Sequence, residues 1–144
     1  MTFMVWLTSR ATADLLDAAL APAGLDGDEF AIYSVLTASR SITPTELARW
    51  MAAPATTVSS YVKRLEARGH VRREPNPADR RSYRLKLTPE GHRTHRAAVK
   101  LFTPLSTRVA AGLGEQEERV RDALVTLRTV LDEIRNAPAS EPQQ

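Results

Sequence analysis

Apolar residues recur at helical spacing along most of this chain, and helix start and stop signals bound the successive runs. The last run carries a near-heptad seam on a charged background, which is typical of a helix that packs against another helix. Asp26 precedes Glu29 by three residues and is a candidate cap for the second helix. The pattern predicts six helices, over about 2–20, 28–38, 44–51, 55–68, 89–111 and 115–136.

The centre of the chain has the order of a helix-turn-helix. The segment 43–46 (Thr-Pro-Thr-Glu) combines an N-cap threonine, a proline at the first helical position and a capping-box glutamate. The turn at 52–54 (Ala-Ala-Pro) follows this short helix, and Gly69 is placed to end the next helix in a left-handed conformation. That second helix has an apolar stripe that we expect to be buried, formed by Val58, Val62 and Leu65.

After Gly69 the pattern changes from helical to alternating. Apolar and basic residues alternate at about 71–73 and again at 83–87, as in a half-exposed antiparallel pair of strands. Between them, the segment 75–81 (Pro-Asn-Pro-Ala-Asp-Arg-Arg) is a turn-rich tip with two adjacent arginines. The sequence therefore predicts a mainly α (α+β) fold, in which a two-stranded wing is attached to the helix-turn-helix.

Basic charge is concentrated in the predicted second helix and wing. Nine of the 20 Lys and Arg residues lie between Lys63 and Lys86 against three acids, so this segment carries +6. The formal net charge of the whole protein is +3, which leaves −3 for the remainder. A polyanion is the expected partner of such a segment, and a winged helix-turn-helix points to double-stranded DNA.

Two groups of side chains are candidate DNA contacts. On the helix 55–68, short hydroxyls allow close approach to the major groove, and two cations further along could reach phosphates or guanine. At the wing tip, arginine is favoured by the negative potential of a narrow minor groove, and we expect Asp79 to orient Arg81 through a charge-assisted hydrogen bond. The candidate DNA-binding residues are Thr56, Thr57, Ser59, Ser60, Lys63, Arg64, Asp79, Arg80 and Arg81.

An ordered set of short motifs resembles the multiple-antibiotic-resistance regulator (MarR) family of bacterial transcription factors. The resemblance covers residues 1 to about 136 in element order and is sharpest over 46–91. The motifs are Glu46-Leu47-Ala48, Thr57-Val58-Ser59, Arg64-Leu65-Glu66, Gly69, Asp79-Arg80-Arg81 and Leu87-Thr88-Pro89-Glu90-Gly91.

The resemblance implies a single MarR-type domain over 1–136, with the winged helix-turn-helix at 26–99 and dimerisation helices at 1–24 and 100–136. It implies a homodimer that reads a palindromic operator, with Arg81 of the wing Asp-x-Arg motif entering the minor groove. Family members commonly lose DNA affinity when a small ligand, often phenolic or anionic, binds. The implied function is a sequence-specific repressor that a small aromatic or anionic effector releases.

The chain departs from the family pattern at two positions and lacks one residue type. Ala52 and Pro54 stand where the family usually has glycine and a serine cap. There is no cysteine, which excludes disulfides, thiolate metal sites and the thiol-oxidation response of some family members.

Other functional interpretations are weaker. No nucleophilic constellation, glycine-rich phosphate loop or paired-carboxylate pocket is present, so we expect no enzyme and no cofactor. His92 and His95 have a spacing that could hold zinc, but no third strong ligand accompanies them, so we expect no metal. Three aromatic residues could line an effector pocket, although residues at helical spacing more often fill a core; they are Trp6, Phe30 and Tyr33.

Two alternatives to an effector-controlled repressor remain. One is a winged-helix regulator that has no small-molecule effector or that activates transcription, and the other is a winged-helix module that binds a protein partner. The strand residues Arg72, Arg73, Arg84 and Lys86 are expected to form a solvated face or to steer phosphates loosely. We expect a cytoplasmic protein without a membrane span, because charges interrupt the apolar opening, and a disordered tail over 137–144.

Overall fold

The computed structural model describes residues 1–137, which form six α-helices and one two-stranded antiparallel sheet. Each helix lies within two residues of its predicted bounds, so the predicted mainly α fold with a wing is confirmed. The predicted disordered tail lies outside the described residues, except for Ala137. The elements are α1 (Thr2–Leu20), α2 (Gly27–Ser39), α3 (Pro44–Met51), α4 (Ala55–Ala67), β1 (Val71–Pro75), β2 (Tyr83–Leu87), α5 (Pro89–Leu113) and α6 (Glu117–Asn136).

Capping boxes fix the starts of α2 and α3. The Oδ1 of Asp26 accepts a hydrogen bond from the backbone N–H of Glu29 at 2.7 Å. The Oε2 of Glu29 in turn accepts one from the backbone N–H of Asp26 at 3.3 Å. Thr43 and Glu46 make the equivalent pair at 3.2 and 2.8 Å. Each cap satisfies backbone donors that have no partner within the helix, which stabilises it by about 1 kcal/mol.

The turn between α3 and α4 contains a strained residue. Ala52 adopts a left-handed backbone conformation with φ 49° and ψ 34°, which glycine adopts without a Cβ penalty. Pro54 stands at the N-cap of α4 and supplies no side-chain hydrogen bond. The two departures from the family pattern thus lie where the turn favours glycine, at Ala52, and where the start of α4 favours a capping side chain, at Pro54.

The core of the winged part lies where α2, α3, α4 and the sheet meet. The predicted stripe of α4 is buried, with Val58, Val62 and Leu65 at most 2% exposed. Tyr33, Leu47 and Leu85 contribute fully buried side chains from α2, α3 and β2. Because α4 buries one face here, its opposite face is left to solvent.

The wing is tied to the body at its base. Strand β1 pairs with β2 in antiparallel register from Val71↔Leu87 to Pro75↔Tyr83. Leu85 also forms a bridge with Ile42, just before α3, through N–H to carbonyl bonds of 2.7 and 3.2 Å. The base of the hairpin is therefore held from both sides, while its tip extends away.

Gly91 allows the first turn of α5 to pack against the loop before β1. A Cβ at this position would lie 2.2 Å from the carbonyl oxygen of His70, which already accepts from the N–H of Thr88 at 3.0 Å. We expect Gly91→Ala to lower the free energy of unfolding by about 1–3 kcal/mol, measured by urea denaturation, because a backbone carbonyl cannot move aside. The control is Gly112→Ala in the same helix, where a Cβ meets nothing within 4 Å. An equal effect at both positions would contradict the steric argument.

The chain divides into two compact units, one of Met1–Leu105 and a second that begins at Ser106. In the first unit, α1 exposes large apolar side chains, among them Phe3, Met4 and Trp6 at 57–68%. In the second, α6 buries no residue and exposes Leu124, Val125 and Ile134 at 58–66%. None of the described helices has the length and hydropathy needed to cross a membrane.

Candidate nucleic-acid interface

The exposed face of α4 carries the predicted row of hydroxyls. Thr56, Thr57, Ser59 and Ser60 are all exposed, with Lys63 one turn further along. Ser60 donates to the carbonyl of Thr56 at 3.1 Å, and no hydrogen bond among the described residues engages the other three hydroxyls. We call these four hydroxyl residues of α4 the hydroxyl arc. It offers short donors and acceptors to a macromolecular partner, as major-groove recognition requires.

Most cations of the basic segment have partners inside the protein. Arg64 and Arg68 contact Glu29, and Arg72 and Lys86 contact Glu74. The guanidinium of Arg73 binds Glu66. The guanidinium of Arg84 donates to the hydroxyl and to the carbonyl of Ser41. Within the described part of the chain, the three cations of this segment that form no such contact are Lys63, Arg80 and Arg81.

Arg64 lies one helical turn after Ser60 on α4, and its guanidinium contacts α2. Its Nε is 2.9 Å from Glu29 Oε1, and its guanidinium lies over the ring of Tyr61 with Cζ 4.7 Å from the ring centroid. The Tyr61 hydroxyl donates to Asp28 at 2.8 Å, and burial together with this bond raises the pKa of Tyr61 to about 12. A DNA contact by Arg64, which stays a prediction, would require it to exchange Glu29 for phosphate.

Glu29 joins α2 to α4, a role that the sequence pattern, which predicts only its part in the capping box, does not reveal. Its side chain is 3% exposed, and its Oε1 forms an ion pair with Arg64 Nε at 2.9 Å and accepts a hydrogen bond from Arg68 Nη1 at 3.1 Å. A buried carboxylate is stable only when paired and hydrogen-bonded, and these two arginines meet that condition. These contacts tie α4, the second helix of the helix-turn-helix and hence its recognition helix, to α2 and so restrain its orientation.

The wing tip is a chain of tight turns stabilised by two side chains. Asn76 Oδ1 accepts from the N–H of Ala78 at 3.2 Å, and Asp79 Oδ1 accepts from the N–H of Arg81 at 2.9 Å. The predicted bond between Asp79 and Arg81 thus exists, but it uses the backbone N–H rather than the guanidinium. Asp79 orients the backbone and leaves the Arg81 side chain exposed.

Replacing Asp79 with alanine is expected to weaken DNA binding although the change adds positive charge. Loss of the exposed, charge-assisted bond to the Arg81 N–H should loosen the tip and cost about 1 kcal/mol of DNA affinity. Fluorescence anisotropy at fixed salt would measure it, with Asp79→Asn as the control that keeps an acceptor. Tighter binding by the alanine variant would show that the negative charge, and not the turn, is what matters.

The other candidate side chains fall into the body of the fold. Tyr33 is fully buried with its hydroxyl 2.6 Å from His70 Nδ1, and burial raises its pKa to about 12. Phe30 packs on Phe102 and His95. Both aromatic residues of α2 therefore pack in or against the core, as their helical spacing predicts. Trp6, by contrast, is exposed beside Phe3.

His95 is held by two hydroxyls of α2. The two ring nitrogens of His95 contact the hydroxyls of Ser34 and Thr37 at 3.1 and 3.2 Å, and burial lowers its pKa. Among the described residues, no three His, Cys, Asp or Glu side chains are grouped closely enough to hold a metal.

Comparison with known proteins agrees with the architecture. Residues 23–82 match the family model described as MarR family. The multiple antibiotic resistance proteins MarR of Salmonella typhimurium and Salmonella typhi are each 27% identical over 88 residues, which is 61% of this chain. The chain spans 61% of the length of these curated relatives.

Solved structures cover nearly the whole chain. The M. tuberculosis transcriptional regulator MosR in complex with DNA has a TM-score of 0.81 at 27% identity, covering 93% of this chain and 97% of that one. A mutant MarR from E. coli complexed with operator DNA shares the fold, with a TM-score of 0.79 at 24% identity and coverage of 90% and 92%. BldR from Sulfolobus solfataricus does so with a TM-score of 0.81 at 20% identity, covering 89% and 91%. The family-model match over residues 23–82 and the shared architecture show that this chain is similar to MarR-family proteins.

Proposed function

We propose that this protein is a sequence-specific regulator of transcription that binds double-stranded DNA, with α4 in the major groove and the wing tip in the minor groove. The observation that carries the proposal is the pairing pattern of the basic segment. Among the described residues, three cations of this segment have neither an ion pair nor a side-chain hydrogen bond within the protein: Lys63, Arg80 and Arg81. They lie on α4 and the wing tip, the two elements that a winged helix-turn-helix presents to DNA. The DNA complex of MosR, at 27% identity, supports the same use of the fold.

The proposed assembly is a homodimer on a palindromic operator. The large exposed apolar residues of α1 and α6 support this, since a second copy of the chain would remove them from water. The proposed domain is a single one over 1–136, with the winged helix-turn-helix at 26–99 and dimerisation helices at 1–24 and 100–136. Two recognition helices would then meet half-sites about 34–36 Å apart, centre to centre.

The proposed activity is repression in the cytoplasm, relieved by a small aromatic or anionic effector. A groove of about 510 Å³ in the first unit supports an effector of this kind. It is lined by apolar residues, among them Pro22 and Leu101, and by the three cations Arg93, Arg96 and Lys100. Apolar walls with a few cations suit a compact organic anion, and a thermal-shift screen of aromatic acids would test for one.

The salt dependence of binding tests the proposed function. Association with DNA from upstream of its own gene should fall steeply with salt, with a log–log slope of about −0.9 for each phosphate neutralised. Footprinting with two protected patches one helical turn apart would support the dimer. A slope near zero, or no protected patch, would contradict DNA regulation and favour the alternative of a winged-helix module for a protein partner.

A further inference from the structure

One contact joins the recognition helix to both strands of the wing. The carboxylate of Glu66, near the end of α4, accepts two bonds from the guanidinium of Arg73 on β1, from Nε at 2.7 Å and from Nη2 at 2.8 Å. The same guanidinium lies over the ring of Tyr83 on β2, with Cζ 4.3 Å from the ring centroid. We call Glu66, Arg73 and Tyr83 the wing clamp.

The register of the hairpin explains how one arginine reaches both partners. Arg73 pairs with Leu85, so Tyr83, two residues earlier on β2, is its diagonal neighbour on the same face of the sheet. That face contacts the C-terminal end of α4 through Glu66, shortly before the chain reverses at Gly69. The hydrogen bonds to Glu66 raise the pKa of Arg73, as expected for a guanidinium that is held in its charged form by a carboxylate.

The chemistry of the wing clamp restrains direction as well as distance. A two-point contact between a guanidinium and a carboxylate is planar. It therefore resists rotation, whereas an ion pair through a single atom on each side allows it. Stacking of the same plane on Tyr83 adds a second direction in which movement breaks a contact. Rotation of the hairpin about its base, at residues 69–70, would therefore separate Arg73 from Glu66.

We propose that the wing clamp sets the angle between the wing and the recognition helix, so that Arg81 and the hydroxyl arc reach one duplex together. Arg73 is then a positioning residue, whose charge is already occupied by Glu66, and it makes no phosphate contact. This inference rests on the proposed DNA-binding function. Half-exposure of Arg73 does not oppose it, because the restraint is geometric and requires little burial.

The competing role for Arg73 predicts opposite behaviour. If Arg73 bound phosphate, Glu66 would hold it back, and removing the negative charge of Glu66 would release it. Glu66→Gln would then tighten DNA binding, and Arg73→Gln would change the log–log salt slope by about 0.9. If the wing clamp positions the wing, Glu66→Gln weakens binding and Arg73→Gln leaves the slope unchanged.

The test is a thermodynamic cycle between the wing clamp and the wing arginine. Operator affinity is measured by fluorescence anisotropy for the unsubstituted protein, Glu66→Gln, Arg81→Ala and the double variant. We expect Glu66→Gln to weaken binding about fivefold or more alone, and less than about twofold when Arg81 is already alanine. The matched control is Glu74→Gln, which makes the same charge change and releases Arg72 and Lys86 while leaving the wing clamp intact.

Four results would overturn the inference: tighter binding by Glu66→Gln, equal losses with and without Arg81, an equal loss in Glu74→Gln, or a change of about 0.9 in the log–log salt slope of Arg73→Gln. Circular dichroism and thermal denaturation of each variant separate a folding defect from a positioning defect, because a destabilised fold lowers affinity equally in both backgrounds. Failure of the proposed function is a different outcome, since the unsubstituted protein would then show no salt-dependent binding to the DNA at all.

Discussion

Replacing Arg81 with alanine is expected to weaken operator binding by about 1–3 kcal/mol, or roughly 5- to 150-fold. The guanidinium is exposed at the wing tip, and it forms no ion pair with any described residue, so no internal contact has to break before it enters a minor groove. The backbone bond from its N–H to Asp79 holds the residue in place. Fluorescence anisotropy on operator DNA at fixed salt measures the change.

Arg72→Ala is the control for this prediction. It removes the same charge from the same hairpin, but Arg72 is already paired with Glu74 at 2.7 Å. We expect the control to cost much less affinity. Equal losses from the two variants would mean that only the net charge of the wing matters, and unchanged affinity in Arg81→Ala would remove Arg81 from the interface.

Replacing Glu29 with alanine is expected to lower the free energy of unfolding by about 2–4 kcal/mol. The substitution removes the carboxylate that binds Arg64 and Arg68 and also one half of the capping box of α2. Because the arginines are 37–48% exposed, water can solvate them afterwards, which keeps the loss below that of a fully buried pair.

Glu46→Ala separates the two contributions, since Glu46 completes the capping box of α3 from an exposed position. That variant is expected to lose about 1 kcal/mol. Urea denaturation of both proteins gives the comparison. A loss in Glu29→Ala no larger than that in Glu46→Ala would show that the arginine contacts contribute nothing to stability.

The features that the sequence predicts well are those determined by near neighbours. Both capping boxes join residues three apart, and the buried stripe of α4 follows from a repeat of three and four residues. The break at Gly69, with φ 71°, depends on a single residue type. Helix bounds and the wing were therefore predictable from the chain alone.

Partners that lie far apart in the chain were not predictable. Glu29 and Arg68 are 39 residues apart, and Ser41 and Arg84 are 43 apart, so only the folded chain shows that they meet. For the same reason, the sequence pattern places Arg84 on a solvated strand face, whereas Ser41 holds it. Arg73 is expected on that face too, and its contact with Glu66, seven residues away, depends on how the hairpin packs on α4. The choice of Arg64 as a DNA contact came from its position on the helix, which does not reveal the carboxylate beside it.

The occupied state of most arginines in the basic segment has a consequence for how the protein would search a genome. Cations already neutralised by a nearby carboxylate attract distant phosphates weakly, so binding to arbitrary sequence depends on few charges. If the protein binds an operator as proposed, brief and weak encounters with bulk chromosomal DNA would leave more of it available for that site. Selectivity in the cell would then depend on weak binding to random sites as much as on strong binding to the operator.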